Sequence, residues 1–283
     1  MGQTDLMVAN DKALSRNRIS HARNGVRIKT IALPAEHGGW GLVFEPVVLG
    51  LLLAPSFAGL YLALSAVALF LSRQPLTLLM FNRKRESPRT AFAKRFATLY
   101  LGISLASFIA AVVFAQFSFL MPLLIAAPFA IVQLGHDWRG RRRVLLAELS
   151  GAIAISSLAT AIALCGGWSF PAAFALWVIM MARAVPAILY VRALLGRLHN
   201  KQASSLPMLA AHALGVVAVA LLFRGGLAPR LAIAAILVLT VRALIAFASA
   251  RRSRLTAMQL GFSEIAFGAI TVFAIALGIT FKI

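Results

Sequence analysis

Long apolar runs separated by short polar links organise this chain. The runs occupy residues 38–55, 57–80, 96–115, 118–135, 145–165, 169–191, 206–223, 229–249 and 261–281, each close to the roughly 20 residues a helix needs to cross bilayer hydrocarbon. Links as short as Gln116-Phe117 and Gly166-Gly167-Trp168 predict antiparallel hairpins for spans 1/2, 3/4 and 5/6. Lipid offers no hydrogen bonds to loose backbone, so the runs must be helices packed together. The expected fold is all-α, a polytopic transmembrane helical bundle of about nine spans. Gly151, Ala152, Ala154, Ser156 and Ser157 in the fifth span suit close helix contact. No repeat, linker or low-complexity segment divides the chain, which reads as a basic arm at 1–30 followed by one transmembrane domain at 31–283.

Composition agrees. The chain is 61% hydrophobic and 13% charged, with a mean hydropathy of +0.88, outside the range of soluble domains. Its 28 Lys and Arg against 8 Asp and Glu would suggest nucleic acid in a soluble protein. Here 23 of the 28 fall in the arm and around the links after spans 2, 4, 6 and 8, three lie on the opposite side (Arg224, Arg230, Lys282), and Arg183 and Arg242 lie within spans. By the positive-inside rule the N-terminus is cytoplasmic and the C-terminus external. The partners are membrane lipids, not nucleic acid. The arm carries Lys12, Arg16, Arg18, Arg23, Arg27 and Lys29 without an apolar core, so it is no secretory signal peptide. It reads as a solvated tail or as a segment resting on anionic lipid. The lone Cys165 excludes an internal disulfide framework and a cysteine-only metal site.

Polar chemistry is densest at Ala35-Glu36-His37-Gly38-Gly39-Trp40-Gly41-Leu42-Val43-Phe44-Glu45-Pro46, where an imidazole and two carboxylates enter the first span. An intramembrane carboxylate faces the bundle interior and finds a partner. Glu45, Arg183 and Arg242 fall at one depth, so they are expected to cluster with one positive charge in excess, which invites an anion. The alternative is a structural Glu45–Arg183 pair with Arg242 snorkelling to the surface. Glu148 and Glu264 read as carboxylates near helix starts, favoured by the helix dipole. Polar residues also gather at Arg73-Gln74-Pro75 and at Asn82-Arg83-Lys84-Arg85-Glu86-Ser87-Pro88-Arg89. Across from them, Arg183, Pro186 and Tyr190 share a helix face, and Pro186 should free a backbone carbonyl. His136-Asp137 reads as a turn, His212 as a hydrogen-bonded core histidine, and no metal site or nucleotide motif is present.

Glu36-His37-Gly38-Gly39-Trp40 and Arg183-Ala184-Val185-Pro186-Ala187-Ile188-Leu189-Tyr190-Val191-Arg192 resemble the hallmarks of the YwiC-like family of bacterial membrane proteins, over most of residues 30–283. The family carries no characterised activity, so the resemblance implies a multi-pass protein of the bacterial cytoplasmic membrane and no particular reaction. More distantly, the nine spans and the polar links after spans 2 and 6 resemble the layout of UbiA-type intramembrane prenyltransferases. Those enzymes hold prenyl diphosphate through magnesium on aspartate-rich motifs. Asn82 and Glu86 match such positions, but Arg83 and Thr90 stand where aspartates are expected and no Asp follows span 6. Magnesium wants several hard oxygen ligands, so it is disfavoured and no cofactor is expected. Arginines can grip a diphosphate directly instead. The expected ligand-binding residues are Glu36, His37, Trp40, Glu45, Arg73, Asn82, Arg83, Glu86, Arg183, Tyr190 and Arg192, with no catalytic residue assigned.

Three functions stay open: a UbiA-like bundle binding an isoprenoid or other anionic-headed lipid at a cytoplasm-facing cavity, with a divergent prenyltransferase as its enzymatic form; a small-anion permease; and a non-catalytic subunit of a respiratory membrane complex. The charge split predicts that a reporter fused in the link after span 2 reads cytoplasmic and one fused after Ile283 reads external. The reverse pattern would overturn the topology.

Overall fold

A computed structural model of the chain describes residues 29–34, 37–81, 87–141, 143–199, 204–249 and 256–283, with the side chains of Lys29 and His37 not described. Among these residues all regular structure is helical. A single turn at Lys29–Ala32 leads into nine helices: α1 (His37–Leu53), α2 (Phe57–Phe81), α3 (Pro88–Phe114), α4 (Leu120–Trp138), α5 (Leu145–Cys165), α6 (Phe170–Leu198), α7 (Leu206–Arg224), α8 (Arg230–Ser249) and α9 (Ala257–Phe281). A 3-10 turn at Phe117–Phe119 precedes α4. The longest links, residues 199–205 and 250–256, are too short to run back along a helix, so successive helices alternate in direction. The end where α2, α4, α6 and α8 finish carries most of the basic residues and is called the basic end below.

The predicted bundle is present, with two adjustments. Eight helices are long and apolar enough to cross a membrane, whereas α1 has 17 residues. At 1.5 Å per residue it spans about 25 Å, short of the hydrocarbon thickness. Several helices also outrun their apolar stretch: α3 begins at Pro88 behind the Ser87 cap, α6 continues to Leu198, and α9 begins at Ala257 behind a Thr256/Gln259 capping box. Hydropathy falls where lipid ends, but the backbone ladder continues wherever caps satisfy it.

Helices α5 and α6 form the centre, with 56% of their apolar windows buried against 17% for α4. The small side chains of α5 make this possible, because Gly151, Ala152, Ser156 and Ser157 are all buried at its contacts. Thr160 Oγ1 donates to the Ala173 carbonyl (2.8 Å) and Trp177 Nε1 to that of Ile153 (2.9 Å), joining α5 to α6. Around this pair α1 packs on α5 and α9, while α7, α8 and α9 follow one another around α6. Helix α3 is held chiefly by α2, through a reciprocal clasp in which the Ser65 hydroxyl donates to the Ser104 carbonyl (2.9 Å) and the Ser104 hydroxyl to that of Ser65 (3.0 Å). Their outward faces, such as Leu105 on α3 and Leu124 on α4, are exposed, as lipid contact requires.

Close packing gives a paired test. A Cβ at Gly50 would stand 2.8 Å from Ile162 Cβ, while one at Gly102 meets nothing within 4 Å. Gly50→Ala should therefore cost about 1–3 kcal/mol through overpacking, and Gly102→Ala should be neutral or slightly stabilising. Thermal unfolding of the detergent-solubilised variants reads the difference.

Candidate functional site

The deepest polar cluster draws one side chain from each of four helices. Arg183 on α6 is only 3% exposed. Its Nη2 donates to Glu45 Oε1 on α1 (3.1 Å) and to the Glu264 carbonyl on α9 (2.8 Å), while Nη1 reaches Glu264 Oε2 (3.3 Å). The other oxygen of Glu264 takes Arg242 Nη2 from α8 at 2.5 Å. The result is a chain, Glu45–Arg183–Glu264–Arg242, of two carboxylates and two guanidiniums. Removed from water, such charges persist only when paired and hydrogen-bonded.

The surrounding sequence makes room for it. A Cβ on Gly268 would overlap the Glu45 carboxylate and stand 3.0 Å from Arg183 Nη2, so glycine at that turn of α9 is what lets α1 and α6 meet there. The Arg242 guanidinium lies between two rings, its Cζ 4.7 Å from the Tyr190 centroid and 4.4 Å from that of Phe267. Cation–π attraction in this desolvated setting adds to the ion pair.

Two expectations are corrected by this geometry. The cluster carries no surplus positive charge, because Glu264 joins it, and Arg242 turns inward rather than snorkelling. Glu264 does not serve the start of its helix: α9 starts at Ala257 and Thr256 caps it, which places Glu264 about two turns inside. The Thr256…Gln259 spacing was the available sequence signal for that earlier start.

The other expected site residues divide among separate contacts. Arg73 on α2 pairs with Asp137 at the end of α4 (2.8 Å). Arg192 pairs with Glu148 of α5 (2.8 Å) and also donates to the Arg143 carbonyl (3.0 Å). Trp40 stacks on Phe44, meets the edge of Phe70 and donates to the Pro34 carbonyl (3.4 Å). The lead-in turn is fastened nearby by Gln74 Nε2 on the Thr30 carbonyl, the Tyr100 hydroxyl on the Ala32 carbonyl, and a fully buried Ile31. Thus Glu45, Arg183 and Tyr190 come together, while Trp40, Arg73 and Arg192 each make local contacts. Glu36, Asn82, Arg83 and Glu86, and the side chain of His37, lie outside the described residues.

Among the described residues, Asp137 and Glu148 at the basic end each face an arginine, and no group of three His, Cys, Asp or Glu side chains is arranged to hold a metal.

Beside the cluster is a cavity of about 10 Å³, lined by Ala182, Arg183, Pro186, Ala187, His212, Ile236, Leu239 and Arg242. Three buried guanidinium donors, Arg183 Nε and Arg242 Nε and Nη1, have no acceptor among the described residues. His212 of α7 is buried, and its Nδ1 lies 2.8 Å from the Met208 carbonyl. Neither the open donors nor the imidazole's place beside two arginines could be read from the sequence.

An apolar helical bundle with a paired charge network at its interior defines a polytopic integral membrane protein. Over residues 33–163, a little under half of the chain, it is similar to the family whose model is described as YwiC-like protein. The matched segment holds Glu36–Trp40 and Glu45, while Arg183, Arg242 and Glu264 lie beyond it. No curated protein and no solved structure matches the chain.

Glu264 faces both arginines, whereas Arg183 keeps Glu264 when Glu45 is neutralised. Glu264→Gln is therefore expected to cost about 3–5 kcal/mol, the range for breaking a buried pair, and Glu45→Gln distinctly less. In a thermal-stability double-mutant cycle, Glu45→Gln with Arg183→Met should destabilise by less than the sum of the singles. Strict additivity would show that the two residues are not coupled.

Proposed function

We propose that this protein binds a small anion at the Arg183–Arg242 pair and passes it across the membrane as a permease. The observation that carries the reading is the set of three buried guanidinium nitrogens without an acceptor among the described residues. Buried donors are nearly always satisfied, and leaving a charged one unmade is costly. An anion answers that need with charge-assisted bonds stronger than those of a neutral acceptor. Glu45 and Glu264 hold the arginines in position, and an arriving anion takes the guanidinium donors that the carboxylates leave open.

A second reading is a UbiA-like bundle that takes the head group of an isoprenoid or other anionic lipid at its cytoplasmic side, with prenyl transfer as a divergent activity. It is favoured by the Arg192–Glu148 pair, whose side chains are 41% and 31% exposed. A head group at that surface can compete with Glu148 for the arginine fork. It has less support than the small anion, because Arg73, another arginine expected among the ligand-binding residues, is engaged by Asp137.

Uptake of small anions into proteoliposomes, together with titration of a prenyl diphosphate with and without chelator, separates the two. For a permease, Arg242→Gln should lower uptake about tenfold or more, the loss expected for a charged hydrogen bond, with Arg192→Lys near wild type. For lipid binding the ranking reverses, since lysine lacks the bidentate fork, and salt should weaken the exposed contact. Absence of both activities would overturn both readings.

A further inference from the structure

We propose that the cavity between α6, α7 and α8 is a co-binding site for one monatomic anion, a halide, and one proton, with the proton carried by His212. This rests on the anion-binding reading above and names its substrate class. The size of the space sets the class. At about 10 Å³ it has room for roughly one water-sized species, which suits a small monatomic anion better than a phosphate, a carboxylate or a diphosphate head group. Arg183 lines the space, is nearly inaccessible, and has an Nε without an acceptor. Arg242 lines it from the opposite helix with two open donors.

The hydrogen bonding of His212 decides its part. A carbonyl can only accept, so the contact with the Met208 carbonyl places the proton on Nδ1. Nε2 is then the nitrogen that titrates, and it has no hydrogen-bond partner among the described residues. Neutral, it offers a lone pair to a water in the cavity; protonated, it offers an N–H to an anion. Pro186 contributes as well: it lacks an N–H, so the Ala182 carbonyl loses its helical donor and packs beside Gly215 of α7, where it can accept from a water in the anion-free state.

Charge balance links the two species. The groups acting on His212 are Arg242 from α8, Glu264 from α9 and Arg183 from α6, with Glu45 of α1 bound to Arg183. These two cations and two anions cancel. A halide entering alone would leave net negative charge in a low-dielectric interior, which is strongly disfavoured. A proton on Nε2 removes that charge and adds a donor facing the anion. The step is a binding equilibrium in which one halide and one proton enter and water leaves, with no covalent bond made or broken.

The test uses the full-length protein in lipid nanodiscs, with fluoride, chloride and bromide as probes. Halide binding is read by equilibrium dialysis, and proton uptake by a pH indicator in weak buffer. Co-binding predicts uptake of about one proton per halide and an affinity that rises by up to about tenfold per unit fall in pH while His212 is neutral in the halide-free protein. In His212→Gln halide binding should persist weakened, with its pH dependence and proton uptake lost. If that variant does not fold, the wild-type pH slope and proton count still decide. Halide binding without proton uptake, or uptake that survives in His212→Gln, overturns the inference and leaves anion binding standing. Binding of oxyanions but of no halide at any pH also overturns the inference alone. Binding of no anion overturns both.

Discussion

A charge inside a membrane must be paired, and this constraint governs how four of the nine helices meet. Arg183 is the pivot, because it is almost fully buried and touches carboxylates from both the first and the last helix. Helices α1 and α9 are far apart in sequence, and their contact brings the two ends of the bundle's chain together. Without Glu45 and Glu264 the guanidinium would face hydrocarbon; without Gly268 the carboxylate of Glu45 could not reach it. A small residue, two carboxylates and one arginine thus form a single requirement distributed over three helices.

Elsewhere the bundle is held by weaker and more local means. Small residues let α5 sit among its neighbours, and the serine clasp fastens α3 to α2. Hydrogen bonds of this kind in membranes contribute on average well under 1 kcal/mol each, so packing of close-fitting helices supplies most of the cohesion. The network is different in kind. Its members are costly to bury, a buried ion pair is weak as a source of stability, and intramembrane ionisable groups characteristically mark a ligand or ion pathway. Its open donors beside a water-sized cavity are consistent with that use.

The basic end shows how paired charges disperse what a charge count gathers. Arg73 and Arg192 lie near the same end of the bundle, and by sequence they look like two members of one clamp. In the folded chain each takes a different carboxylate, Asp137 on α4 and Glu148 on α5. Both carboxylates sit in stretches rich in arginine, where an acidic residue is easily read as a turn or helix-start feature. Glu148 lies in the first turn of α5, as read, and Asp137 in the last turn of α4; the neighbouring helix adds the arginine that each one faces.

What the sequence determined by itself was what lipid imposes residue by residue. Run length sets the spans and short links set their alternation, while the cost of a lone intramembrane carboxylate makes a Glu45–Arg183 pair legible in the sequence. The tertiary structure alone decided which groups complete that pair. Glu264 joins because α9 starts at a cap outside its apolar run; Arg242 turns inward because Tyr190, Phe267 and Glu264 surround it; His212 borders the arginines because α7 packs against α6 and α8. These helices are apolar on nearly every face, so hydropathy carries little information about their rotation or about which neighbour each face meets. That information lies in the fit of small and large side chains across helices, which exists only once the chain is folded.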